Sequence, residues 1–152
     1  MLRNFLLPFK RRDLVYEENA RWLASVICSE VDPCSTEVPG MIVLLRAQYA
    51  GRGDAGMMDL IRRAEDARLT AQRVTDSAFL QRLIDRNADF FDDALYDRLA
   101  LVHERYRGDA AMLGMFNRAA TAYGDAVITA AEWAMAGLDA IYVIDKAMGR
   151  EE

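Results

Sequence analysis

The stretch that decides the fold is Asp125 to Met148, DAVITAAEWAMAGLDAIYVIDKAM. Asp125, Glu132, Asp139 and Lys146 recur every seven residues. Seven residues are about two helical turns, so these four form one narrow polar stripe. The remaining surface is apolar or small. Val127, Ala130, Ala134, Gly137, Ile141, Ile144 and Met148 make one row, and Ile128, Ala131, Met135, Leu138 and Tyr142 make a second beside it. A helix apolar over most of its circumference is ordinarily buried. The expectation is therefore an all-α fold, a bundle of five to seven helices packed around a long C-terminal apolar helix at about 109–148. Gly124 is either a break or a kink in that helix. The recurring charges exclude a membrane span, which needs ~20 mostly apolar residues.

Composition sets the outer limits. The 152 residues suit one domain with its own core, here residues 13–152 after an N-terminal arm at 1–12. With 53% hydrophobic and 28% charged residues the chain is globular rather than disordered. A net charge of −5 argues against a surface built for nucleic acid. Cys28 and Cys34 are the two cysteines, and no secretory signal is visible at the start, so reduced thiols in a cytoplasm are expected.

The arm, MLRNFLLPFKRR, carries Leu2, Phe5, Leu6 and Phe9 followed by Lys10, Arg11 and Arg12. Docking on the core or on a neighbouring subunit is the favoured role. The alternative is a peripheral membrane contact, since apolar residues beside a basic cluster suit an anionic interface.

Asp13 can cap a helix that carries Trp22, Leu23, Val26 and Ile27 and ends near Val31. Asp32 to Gly40, DPCSTEVPG, holds two of the three prolines and reads as a loop. Met41 to Ala50 reads as a short buried helix. Asp54 caps the next helix, expected to run to about Val74. A further helix starts at Thr75 or Asp76 and carries Phe79, Leu80, Leu83 and Ile84. Asn87 to Asp89 can break it before the stripe of Phe90, Phe91, Leu95, Leu99 and Val102. Asp109 caps the last segment, lined by Met112, Met115, Phe116, Ala119 and Tyr123. The stretch GDAGM at Gly53 echoes GDAAM at Gly108. The favoured explanation is one stop-and-cap chemistry used twice, with an old duplication of a helical hairpin as the other.

Candidate chemistry is sparse. His103 is the only histidine, so the paired Glu-x-x-His sites of helical di-iron proteins cannot be built. Cys28, Cys34 and His103 are too few and too scattered for a zinc site. Asp85, Asp89, Asp92, Asp93 and Asp97 form an acidic cluster that could hold a divalent cation, but Arg82, Arg86 and Arg98 lie among them and a solvated face is favoured. Arg62, Arg63, Arg68, Arg73, Arg82 and Arg86 could meet phosphates, yet Glu65, Asp66, Asp76 and Asp85 interleave them. No phosphate loop, nucleophile elbow, dinucleotide fingerprint or paired-cysteine motif occurs.

The expectation from sequence is thus a protein that is not an enzyme, with no cofactor and no metal. It is an adaptor, chaperone or structural subunit of a larger bacterial or phage complex, bound to a protein partner or to copies of itself. The contact is expected at Ala130, Ala134, Gly137, Leu138, Ile141 and Ile144, with Phe5 and Phe9 of the arm. A small helical nucleic-acid-binding regulator is the alternative.

Overall fold

The computed structural model describes residues 7–147, with side chains described for 14–137. The chain is all-helical there, with no strand among the described residues. Five helices follow one another: α1 (Leu7–Ile27), α2 (Glu37–Tyr49), α3 (Ala55–Ile84), α4 (Asp93–Arg105) and α5 (Ala110–Ala147). They form two compact units, Met1–Thr75 and Asp76–Glu152, so α3 contributes its first part to one unit and its last part to the other.

Each unit has its own core. In the first, Leu23 and Val26 of α1 meet Val38, Ile42, Leu45 and Tyr49 of α2 and Met57, Ile61 and Ala64 of α3. In the second, Leu80 and Leu83 of α3 meet Leu95, Leu99 and Val102 of α4 and Met112 and Ala119 of α5. The buried rows follow from helical spacing. On α2 the buried residues step by four, three and four, and Met41, Val43 and Leu44 on its other sides stay exposed.

Local chemistry places most helix starts. Asp54 accepts a hydrogen bond from the Met57 amide at 2.9 Å, and Asp109 accepts one from Met112 at 3.1 Å. Asp92 caps α4 through the Ala94 amide at 3.0 Å. Elsewhere the boundaries differ from those expected. Helix α1 takes in positions 7–12 of the expected arm and ends at Ile27, four residues before Val31. Helix α2 starts at Glu37, inside the expected loop. Pro39 is tolerated there because first-turn amides have no intrahelical acceptor to lose. No helix begins at Thr75 or Asp76, since α3 runs unbroken through both. Gly124 lies inside α5 and does not end it.

Helices α1 and α3 stop the same way. After α1, the Ser29 amide bonds the Val26 carbonyl and the Glu30 amide bonds the Ser25 carbonyl. After α3, the Arg86 amide bonds Leu83 and the Asn87 amide bonds Arg82. This is a Schellman closure, which needs a left-handed residue. Ser29 has φ 59° and Arg86 has φ 55°, where glycine is the residue at ease. Ser29→Gly is therefore expected to stabilise the protein by ~0.5–1 kcal/mol, the relief exceeding the entropy that glycine adds to the unfolded chain. Urea unfolding followed by circular dichroism checks it. An unchanged or lower midpoint would mean that Ser29 bears no strain.

The echo around Gly53 and Gly108 proves to be part of a larger correspondence. Asn19, Leu23, Val26 and Ser29 match Asp76, Leu80, Leu83 and Arg86, each pair 57 residues apart in number. Val38, Ile42, Leu45 and Tyr49 match Leu95, Leu99, Val102 and Tyr106 at the same offset. After a loop two residues shorter, Met57, Ile61 and Ala64 match Met112, Phe116 and Ala119. Even the polar tether is repeated. Asn19 Nδ2 donates to Tyr49 Oη at 3.1 Å, and Tyr106 Oη donates to Asp76 Oδ2 at 2.9 Å. Shared cap chemistry alone, the favoured explanation from sequence, does not account for matched cores, tethers and helix ends. The two units are a structural duplication of one three-helix motif.

The expectation that the other helices pack around the C-terminal one is corrected. Val127 is 40% exposed, Ile128 60%, Trp133 76% and Met135 60%. The physical reason is the element order. Helix α4 and the start of α5 cover the last part of α3, but among the described residues no helix follows to cover the last part of α5.

Candidate functional site

Among the described side chains, the stretch of α5 from Val127 to Gly137 is the surface that the fold leaves uncovered, with only Ala130 partly buried. The first half is anchored, with Met112 and Ala119 in the core and Tyr123 packed against it. Beyond Ala122, itself buried, every described side chain is exposed or only partly buried. Of the contact residues expected from sequence, Ala130 is partly buried, while Ala134 and Gly137 are exposed. A Cβ added at Gly137 would meet nothing within 4 Å. Leu138, Ile141 and Ile144 lie on the backbone of α5, and Phe9 on that of α1, with side chains outside those described. Phe5 lies outside the described residues altogether. The large exposed side chains at Ile128, Trp133 and Met135 dominate this surface; Ile128 and Met135 belong to the second apolar row of the helix, and Trp133 to neither row.

The polar clusters resolve into structural contacts. Asp89 accepts from the Phe91 amide, Asp92 caps α4, and Asp85 accepts from Gln81. Among the described residues no group of three or more His, Cys, Asp or Glu is placed to hold a metal ion. Arg62 pairs with Asp59 at 2.7 Å and Asp66 at 3.3 Å, and Arg86 with Asp125 at 3.5 Å. These arginines meet carboxylates of their own chain, which lowers the positive field they could offer a phosphate. His103 sits beside Phe116, ring centres 4.9 Å apart, at the last turn of α4. Cys28 and Cys34 are free thiols, and Cys34 Sγ lies 3.7 Å from Thr75 Oγ1.

The one buried charged group in the described core is Asp76, 2% exposed. It accepts from Arg105 Nη1 at 2.5 Å and from Tyr106 Oη, tying the end of α4 to α3. Sequence reasoning placed Asp76 at a helix start because aspartate is a good cap; its partners lie 29 and 30 residues further on. A shallow cleft lies in the first unit between Arg46, Ala55, Met58, Asp59, Ile61 and Arg62. Both its arginines are already engaged, Arg46 with Glu65 and Arg62 with Asp59 and Asp66.

No helix among the described residues is long and apolar enough to cross a membrane. No protein family, curated protein or solved structure was found to match this chain.

Proposed function

We propose that this is a non-enzymatic interaction or assembly protein and that the second half of α5 is its contact surface. The observation that carries the reading is the exposure of Val127, Ile128, Trp133 and Met135 along one continuous helix. Exposed apolar side chains cost free energy in water at about 25 cal/mol per Å², and rows such as Ile128 and Met135 on one helix face mark candidate interaction sites. The first half of α5, anchored by Met112 and Ala119 in the second core, holds the surface in place.

The test is a pair of substitutions at exposed positions. In the lone chain Gly137→Leu meets open space and gains up to ~1 kcal/mol of helix propensity. Where a neighbour packs closely on Gly137, the same change overpacks the contact by ~1–3 kcal/mol. Met135→Asp places a charge on the exposed row that also carries Ile128. The expected result is that tagged wild-type protein from its native host retains a protein partner or its own copies, and that both variants lose them while keeping their helical signal. Wild-type protein that emerges alone and monomeric, or variants that retain every partner, would overturn the reading.

A further inference from the structure

Resting on that reading, we propose that the second half of α5 is a docking site for a helical hairpin of a partner protein. The hairpin is seated as α4 and the start of α5 seat on the last part of α3.

The duplication carries this step. Helix α3 plays two parts: its first turns are the third helix of the first unit, and its last turns are the first helix of the second. Helix α5 begins as the third helix of the second unit, with Met112 and Ala119 where α3 has Met57 and Ala64. Carried on at the same register, Ala131, Ala134 and Met135 fall where α3 has Asp76, Phe79 and Leu80, and position 138, a leucine, falls where α3 has Leu83. On α3 those positions are buried or packed against the second core. On α5 the first three are exposed. The same register gives α1 Asn19, Trp22, Leu23 and Val26, of which Leu23 and Val26 are buried and Trp22 packs against the first core. An apolar row at this register is thus covered twice in the chain, each time by a short helix whose buried row begins with steps of four and three, a tight turn and the start of an Asp-capped helix. The third row is apolar and has no such cover among the described residues.

The register also selects a face. Thr129 corresponds to Val74 and Gly137 to Arg82, both exposed on α3, so these positions flank the seat. At the position of the tyrosine-bonded Asn19 and Asp76 stands Ala131, so the occupant needs no tyrosine there and binds through apolar packing.

The test supplies the hairpin in a known form. Residues 87–127 are repeated after Glu152 through a Gly/Ser linker of about 15 residues, whose root-mean-square reach is ~20 Å. Amide hydrogen exchange is then followed across residues 128–139 in the full chain and in this extended chain. The expected result is exchange about tenfold slower in the extended chain, with its mass still monomeric. Met135→Asp in the extended chain restores the fast exchange, and Thr129→Asp leaves the protection in place. Unchanged exchange in the extended chain, or protection that survives Met135→Asp, would overturn the hairpin seat. So would a wild-type chain of twice the monomer mass that already protects 128–139 and falls to monomer with Met135→Asp, since a second α5 is then the occupant. The two proposals fail separately. Loss of partners on Met135→Asp with no protection in the extended chain leaves the contact surface standing and removes only the hairpin.

Discussion

Leu80→Ala is expected to destabilise the protein by ~3 kcal/mol, within the ~2–5 kcal/mol range of buried leucine truncations. Leu80 is fully buried in the second core, with Leu83, Leu95, Leu99 and Met112 in the same cluster. The truncation removes apolar contact and leaves a cavity that helices fixed by caps at Asp92 and Asp109 cannot readily close. The matching change on α5, Met135→Ala, is expected to stay within ~0.5 kcal/mol, because that side chain is mostly in solvent. Urea unfolding of both variants beside the wild type makes the comparison. A loss below ~1 kcal/mol at Leu80 would show that the second core is loosely packed. A large loss at Met135 would show that α5 is covered in the free protein.

The second large effect belongs to Asp76→Ala, expected to cost ~2–3 kcal/mol. The substitution removes a buried acceptor and leaves the Arg105 guanidinium and the Tyr106 hydroxyl without it. The cost stays below that of a fully buried pair because Arg105 is 38% exposed and water can take over part of its solvation. Asp76→Asn converts the tether to the Asn–Tyr pair found in the first unit, so about half of the loss should be recovered. Chemical unfolding of the two variants reads the difference. Equal losses would mean that charge, and not the hydrogen bond to Tyr106, dominates the contact.

How much of this was legible in the sequence depends on how far each cause reaches along the chain. The caps at Asp54 and Asp109 act across three residues, and the stop-and-cap pattern identified both. Of the expected stripe Phe90, Phe91, Leu95, Leu99 and Val102, the last three are buried and Phe90 is partly buried, but Phe91, before α4 begins, is exposed. Asp76 misled because its cause is remote: beside Thr75 it resembles a cap, and nothing local announces Arg105 and Tyr106. The duplication was masked because only scattered members keep their residue type, such as Leu23 and Leu80 or Tyr49 and Tyr106, while the others share a role alone. Trp22 answers to Phe79, Asn19 to Asp76 and Ser29 to Arg86, so beyond the helix starts only a short string such as Arg63-Ala64 and Arg118-Ala119 still matches. The candidate surface was half legible. Periodicity showed that α5 is apolar on several faces, but a pattern within one helix cannot say whether anything lies against it. The inference that it must be central failed at that point.

The shared role of α3 has a consequence for how the chain finds its fold. Every long-range tether described is short in sequence terms: Asn19 to Tyr49 and Asp76 to Tyr106 each span 30 residues, and Cys34 to Thr75 spans 41. The entropy of closing such loops grows only with the logarithm of their length, so each tether costs little more than a tight hairpin would. Chains whose contacts are this local search few conformations before collapse and belong among fast-folding helical proteins. All the partners of the first core lie before Thr75, so that core is complete in sequence when half of the chain has left the ribosome.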